Sequence, residues 1–214
     1  MENEWFIQAI KEENFQQVVE LIKSGINVNM RNSQGEIPLI VATKINNTNL
    51  VELLIVNGAD LDVQDNFGKT ALMYATINNN LEIINGLIRC CANVNIQDRF
   101  GQTPLLYTLA RDQYDIAHGL LGFYDINVNI RDFFGRTALM YAAFFGYVDI
   151  ANELIRRGTD VNARDKWGRT ALTYAKQKNH YEIVNRLLRA GAADLNNFVN
   201  ANNNFGDDQV ERLF

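Results

Sequence analysis

The sequence is short of the residues that mark several classes of protein. Only two cysteines occur among 214 residues, and they are adjacent, at Cys90 and Cys91. A disulfide framework needs separated pairs, and a structural zinc site needs about four spaced ligands, so neither is predicted. We expect the two thiols to be reduced, as in a cytoplasmic compartment.

Excess positive charge and long apolar runs are also missing. The net charge is −5, whereas nucleic-acid phosphates require clustered Lys and Arg, so a nucleic-acid partner is disfavoured. No stretch approaches the roughly 20 apolar residues that cross a bilayer, and the acidic start, MENEWFIQAIKEEN, does not resemble a secretory signal. We therefore expect a cytoplasmic protein with no membrane partner, and secretion into a host cell stays an open alternative.

Motifs for catalysis and cofactor binding are absent as well. His118 and His180 are the only histidines, and no phosphate-binding glycine loop, zinc-protease motif or nucleophile elbow is present. We predict no catalytic residue, no metal site and no cofactor, and so a protein that is not an enzyme.

What the sequence has instead is internal repetition. Four similar segments recur at intervals of 33, 34 and 33 residues: DNFGKTALMYA from Asp65, DRFGQTPLLYT from Asp98, DFFGRTALMYA from Asp132 and DKWGRTALTYA from Asp165. A weaker copy, NSQGEIPLIVA, begins at Asn32. A period in this range indicates a solenoid of stacked supersecondary units.

Each repeat can be interpreted as two helices and a loop. A glycine allows a tight turn, and a threonine then stands where its hydroxyl can cap a first helix: Thr70, Thr103, Thr137 and Thr170. Both prolines, Pro38 and Pro104, fall at the first helical position. Residues that tolerate a left-handed backbone recur at the turn to the second helix: Asn46, Asn79, Asp112, Gly146 and Asn179. The aspartates that open each repeat, and Asn29, Asn95, Asn129 and Asn162 in the loops, are interpreted as structural because they recur once per repeat.

These residues resemble the ankyrin repeat, whose pattern D-x-x-G-x-T-P-L-x-x-A-A…G-A-D-V-N is matched by five consecutive copies. The resemblance implies an all-α solenoid of helix-turn-helix units joined by hairpin-like loops. It implies one domain over residues 1–194, with an N-terminal cap (1–31) and five repeats at 32–64, 65–97, 98–131, 132–164 and 165–194. Cys91 and Tyr124 depart from the pattern, because they stand where other repeats have a terminal glycine. We expect the second helix of the third repeat to end at Gly122.

The tail, residues 195–214, leaves the repeat pattern and is rich in asparagine. Its low apolar content predicts a flexible segment, and DDQVERLF is predicted to form one helical turn capped by Asp207 or Asp208. It would either seal the last repeat or dock on a neighbouring molecule, and sealing is favoured.

The repeats can be compared with one another to find binding residues. A position required for folding should hold similar residues in every repeat, whereas two positions before the mid-repeat turn hold Lys44-Ile45, Ile77-Asn78, Ala110-Arg111, Phe144-Phe145 and Gln177-Lys178. This variation predicts that Phe144 and Phe145 lie on or beside a concave binding groove. The alternative left open is that one ring fills a gap between repeats.

Aromatic residues also recur just before the turn glycine, flanked by the cations Lys69, Arg99, Arg136, Lys166 and Arg169. They either face a partner or stack along the solenoid. Tyrosines recur on the first helices, with hydroxyls expected towards the groove. The predicted partner-binding residues are Phe67, Lys69, Phe100, Phe133, Phe134, Arg136, Tyr141, Phe144, Phe145, Trp167 and Arg169.

The favoured function is a non-enzymatic protein-interaction module, that is, a scaffold, adaptor or inhibitor. Its partner would be a protein segment with apolar anchors and some acidic groups, which would meet Arg136 and Arg169. A bacterial effector that binds a host protein is the first alternative, and nucleic-acid binding or enzymatic activity is a distant third.

Overall fold

The computed structural model describes residues 2–194, so the predictions for the tail fall outside the described residues. Within this range the chain forms twelve α-helices and no β-strand, which confirms the all-α fold. The helices are α1 (Glu2–Lys11), α2 (Phe15–Lys23), α3 (Pro38–Lys44), α4 (Thr48–Val56), α5 (Ala71–Ile77), α6 (Leu81–Arg89), α7 (Pro104–Ala110), α8 (Tyr114–Leu121), α9 (Ala138–Phe145), α10 (Val148–Arg156), α11 (Ala171–Gln177) and α12 (Tyr181–Arg189). None of these helices is long and apolar enough to cross a membrane.

The chain divides into two compact units, Met1–Phe133 and Phe134–Phe214. The first contains α1 to α8, and the second contains α9 to α12. The single domain over residues 1–194 stays a prediction. The N-terminal cap is helical, as expected, with α1 packed against α2 and α3.

The first helix of each repeat is short and almost wholly buried because it is built from leucine and small residues. Pro38 and Pro104 are the first residues of α3 and α7, as predicted. The predicted threonine caps are confirmed at three sites, for example where Thr103 Oγ1 accepts a hydrogen bond from the Leu106 amide at 3.3 Å. Thr137 is the exception, since its hydroxyl is buried and makes no hydrogen bond.

The turns between the two helices of each repeat have the predicted left-handed geometry. The turn residue has a positive φ at Asn46, Asn79, Asp112, Gly146 and Asn179. Glycine also suits Gly146 for a second reason, because a Cβ there would come within 2.6 Å of the His180 ring and the ring would have to shift. The His180 Nε2 atom lies 3.1 Å from the Phe144 carbonyl oxygen, so this ring occupies the space that an asparagine side chain would need.

The second helices end differently at the two departures from the repeat pattern. Helix α8 ends at Leu121 and Gly122 caps it, as predicted. Cys91 follows α6 with a φ of 67°, in the left-handed region that disfavours residues with a Cβ.

The loop asparagines connect successive repeats. Asn95 Nδ2 donates to the Asp125 carbonyl at 2.7 Å, and Asn95 Oδ1 accepts from the Asn127 amide at 2.8 Å. Asn29 makes the equivalent pair of bonds, to the Gly58 carbonyl and the Asp60 amide. Asn162 bonds likewise to the Gly191 carbonyl and the Ala193 amide, so the structural interpretation is confirmed for Asn29, Asn95 and Asn162.

Candidate partner-binding surface

In three repeats the hairpin-like loop is closed by the aspartate that opens the repeat, at Asp65, Asp98 and Asp165. Asp98 Oδ1 accepts hydrogen bonds from the amides of Phe100 at 2.8 Å and Gln102 at 2.9 Å. Asp98 Oδ2 accepts a hydrogen bond from the Tyr107 hydroxyl at 2.6 Å. The same arrangement occurs at Asp65 with Tyr74 and at Asp165 with Tyr174. The aspartates are therefore structural, as predicted.

The hydroxyls of Tyr74, Tyr107 and Tyr174 were expected to face the groove, and their hydrogen bonds limit what they can offer a partner there. Each hydroxyl donates a hydrogen bond to the aspartate of its own repeat. Burial, followed by the bond to Asp98, raises the pKa of Tyr107. At Asp65 burial acts to raise the pKa, but the bonds from Tyr74 and from the Lys69 and Phe67 amides outweigh it and lower the pKa.

The cations beside the turns are held by the same aspartates. Lys69 Nζ lies 2.9 Å from Asp98 Oδ2, and Arg169 Nε lies 2.9 Å from Asp165 Oδ2. These side chains also stack between two rings, since the Arg169 guanidinium lies 4.6 Å from the Trp167 ring centre and 4.8 Å from that of Tyr174. The charges of Lys69 and Arg169 therefore already interact with groups of the fold and are less available to a partner.

The prediction that Arg136 meets an acidic group of a partner is wrong. Its side chain is only 2% exposed, so a partner's acidic group cannot meet it at the surface. Its guanidinium lies 4.9 Å from the ring centres of both Phe134 and Tyr141. Arg136 is thus part of the core of the second compact unit, and the cations exposed beside the turns are Arg99 and Lys166.

In the first compact unit, three phenylalanine rings lie exposed at the loop tips. Phe67, Phe100 and Phe133 are 58%, 57% and 57% exposed. We call these three residues the tip row.

Main-chain bonds fix the spacing of the tip row. The Arg99 amide donates to the Phe67 carbonyl at 3.1 Å, and the Phe133 amide donates to the Phe100 carbonyl at 2.8 Å. Glycine is required beside these bonds, because a Cβ on Gly101 would lie 2.7 Å from the Phe133 nitrogen. The rings therefore project from loops that are hydrogen-bonded to one another.

The second compact unit has a tip pair rather than a row. Phe134 and Trp167 stack at a centroid distance of 5.6 Å and an interplanar angle of 22°. Phe134 is half-buried and Trp167 is 47% exposed. Both alternatives left open by the sequence apply here, because the rings stack on each other and Trp167 still presents surface to solvent.

The prediction that Phe144 lies on the groove surface is wrong. Phe144 is 6% exposed, and its ring meets the rings of Phe145 and Tyr174 edge-on at 5.0 and 6.0 Å. Tyr141 is 1% exposed and offers no contact surface either. Phe145 is half-buried and stacks on Tyr147 at 5.6 Å. The alternative that one ring of the pair fills a gap is the correct one.

Comparison with known proteins agrees with this architecture. A family model described as ankyrin repeats in three copies matches residues 6–98 and 79–165, and a single ankyrin repeat model matches residues 167–204. The chain belongs to the ankyrin repeat family. A crystal structure of an ankyrin repeat domain from Acinetobacter baumannii AYE is similar at 28% identity and a TM-score of 0.79, over 88% of this chain and 98% of that one. A search of curated proteins found no significant match.

Ankyrin repeats are generally protein-protein interaction modules, and the fold is typically a non-enzymatic binding fold. Nothing in the described range, residues 2–194, groups three or more His, Cys, Asp or Glu side chains as a metal site. Cys90 and Cys91 are both exposed free thiols.

Proposed function

We propose that this ankyrin repeat protein acts as a scaffold, adaptor or inhibitor that binds a partner protein through the tip row, Phe67, Phe100 and Phe133. The observation that carries the proposal is the exposure of three phenyl rings, each more than half accessible, on one edge of a fold whose core does not need them. Interface energy is concentrated in a few residues, and aromatic rings are prominent among them.

The fold gains little from exposing these rings. Full burial of a phenyl ring contributes roughly 1.5–3 kcal/mol, and more than half of that remains available to a partner at each tip. The main chain at the tips is already ordered by its hydrogen bonds, so binding costs little backbone entropy.

The partner that suits this edge has apolar anchors spaced to meet consecutive tips. The Arg99 side chain is exposed, so one acidic group of the partner can pair with it. Its amide is bonded to the Phe67 carbonyl, which places this cation beside the tip row. Lys69 is a poorer pairing site because Asp98 already neutralises it. Since an exposed ion pair contributes only about 0–1 kcal/mol, the rings supply most of the affinity.

The test replaces Phe67 and Phe100 together with alanine. Losing two half-exposed rings from an interface should cost about 2–4 kcal/mol, which weakens binding roughly 30- to 1000-fold. The partner is first captured from cell extract on the wild-type chain and identified by mass spectrometry, and its affinity is then measured for each variant. Leu81→Ala is the matched control, because Leu81 is 52% exposed but is the first residue of α6 and not part of a loop tip. Equal binding by the double variant and the wild type would refute the proposal.

A further inference from the structure

The first compact unit carries a second exposed apolar patch, which is built on α2 and α4 rather than on the loop tips. An open cavity of about 400 Å³ is lined by Phe15 of α2 and by Asn49, Glu52, Leu53 and Val56 of α4. Val56 is 78% exposed and Phe15 is 46% exposed. We call this set of residues the α4 patch.

Comparison among the repeats shows that the fold does not require this patch. Val56 is the last residue of its helix, and the residues at the same position of the other units are Lys23, Arg89, Gly122, Arg156 and Arg189. Leu53 is equivalent to Glu20, Gly86, Gly119, Glu153 and Arg186. Every other repeat places a charged residue or glycine where α4 has leucine and valine.

Helix α10 shows what these two positions hold when they only face solvent. Glu153 and Arg156 form an ion pair there, with Oε1 and Nη2 2.6 Å apart. Helix α4 has no such pair and places there the half-buried Leu53 and the exposed Val56. Exposed apolar residues at positions that neighbouring repeats keep polar indicate a binding surface.

The charge around the patch indicates the chemistry of the partner. The charged side chains on α2, on the turn before it and on α4 are Glu12, Glu13, Glu20, Lys23 and Glu52. Glu52 itself lines the cavity. The first compact unit as a whole has 9 Lys and Arg against 16 Asp and Glu, a net charge of −7, so its field attracts cationic partners.

We propose that the α4 patch is a second docking site, which takes a basic segment of a partner protein. An apolar side chain of that segment enters the cavity between Phe15 and Leu53 and covers Val56. Lysine or arginine on the same segment pairs with Glu52. The site is independent of the tip row, so one chain can hold two proteins at once.

The decisive variant is Leu53→Glu/Val56→Arg, which installs in α4 the residues that α10 has at the same positions. The fold should tolerate it because α10 already shows that this pair suits the helix. Circular dichroism melting checks this, and Val56→Arg alone replaces the double variant if the melting temperature falls.

The probe is a displayed library of random 16-residue peptides, selected on the full wild-type chain after subtraction on the double variant. Affinities of the enriched peptides are measured by fluorescence polarisation. We expect peptides with net positive charge and apolar residues, bound at least tenfold more weakly by the double variant and within threefold of wild type by Phe67→Ala. Glu52→Gln should bind these peptides more weakly than wild type does. The difference in affinity should grow as the salt concentration is lowered, because screening of the Glu52 charge then decreases.

Three results would overturn the proposal. The first is an absence of enriched peptides, and the second is enrichment of acidic or neutral ones. The third is a wild-type dimer in light scattering that the double variant converts to a monomer, since the patch would then be covered by a second copy of the chain.

Discussion

Phe144→Ala tests the burial that the structure assigns to this ring. Its side chain is 6% exposed and lies edge-on to Phe145 and Tyr174, with Lys178 Nζ 4.6 Å from its centre. Removing a buried phenyl ring costs about 3–5 kcal/mol, because the lost transfer energy is added to that of the cavity left behind. A chain of this size loses about 2–4 °C of melting temperature per kcal/mol, so we expect a fall of roughly 6–20 °C.

The assay is urea unfolding followed by far-ultraviolet circular dichroism, with thermal melting alongside. Phe67→Ala is the control, since that ring is 58% exposed and its loss should cost less than about 1 kcal/mol. If the unfolding free energy of Phe144→Ala lies within about 0.5 kcal/mol of the wild-type value, Phe144 is a surface residue and not a core residue.

Three further predictions concern details of the repeats. Cys91→Gly should stabilise the chain by roughly 0.5–1 kcal/mol, because Cys91 has a φ of 67° that glycine adopts without strain. Thr103→Val should cost about 1 kcal/mol through the lost cap bond to Leu106, while Thr137→Val should cost less, because the Thr137 hydroxyl makes no such bond. Wild-type stability should fall above about pH 10, because burial and Asp98 raise the pKa of Tyr107 in the fold and the unfolded chain ionises first. Tyr107→Phe should make that alkaline fall shallower.

Each of these changes has a simple readout. Thermal melting in a reducing agent measures Cys91→Gly, and a lower melting temperature would show that the left-handed backbone carries no strain. Urea unfolding compares the two threonine variants, and equal losses would contradict the missing cap at Thr137. Unfolding free energies between pH 8 and 11 measure the tyrosine effect, and parallel curves for wild type and Tyr107→Phe would contradict it.

Much of the fold was predictable because each repeat is specified by local chemistry. Glycine before the helix, threonine or proline at its start, and asparagine or glycine at the mid-repeat turn each have a backbone reason. Five copies in register remove the ambiguity that a single copy would leave. The end of α8 at Gly122 was predictable on the same grounds, since Tyr124 stands where other repeats have a terminal glycine and Gly122 is the last glycine before it.

The binding residues were harder to predict, because variation between repeats does not distinguish a surface from a locally filled gap. Phe144 occupies a position that holds Lys44 in another repeat, where the side chain is exposed. The ring is buried because Tyr174 and Lys178 of the next repeat close over it, and those contacts depend on packing rather than on spacing. Arg136 was mistaken for a surface cation for the same reason.

The α4 patch could have been found from the sequence by extending the comparison of repeats to the second helices. Leucine and valine at positions that are otherwise charged or glycine are visible in the alignment of the repeats with one another. What the sequence does not contain is the exposure of Val56 and the cavity beside Phe15, which follow from how α2 and α4 pack.

The affinity of the captured partner for Phe67→Ala/Phe100→Ala tests the central claim most directly. The tip row predicts a dissociation constant about 30- to 1000-fold above that of wild type, with a melting temperature that stays close to that of wild type. An unchanged dissociation constant in a folded variant would show that the partner binds elsewhere and would contradict the claim.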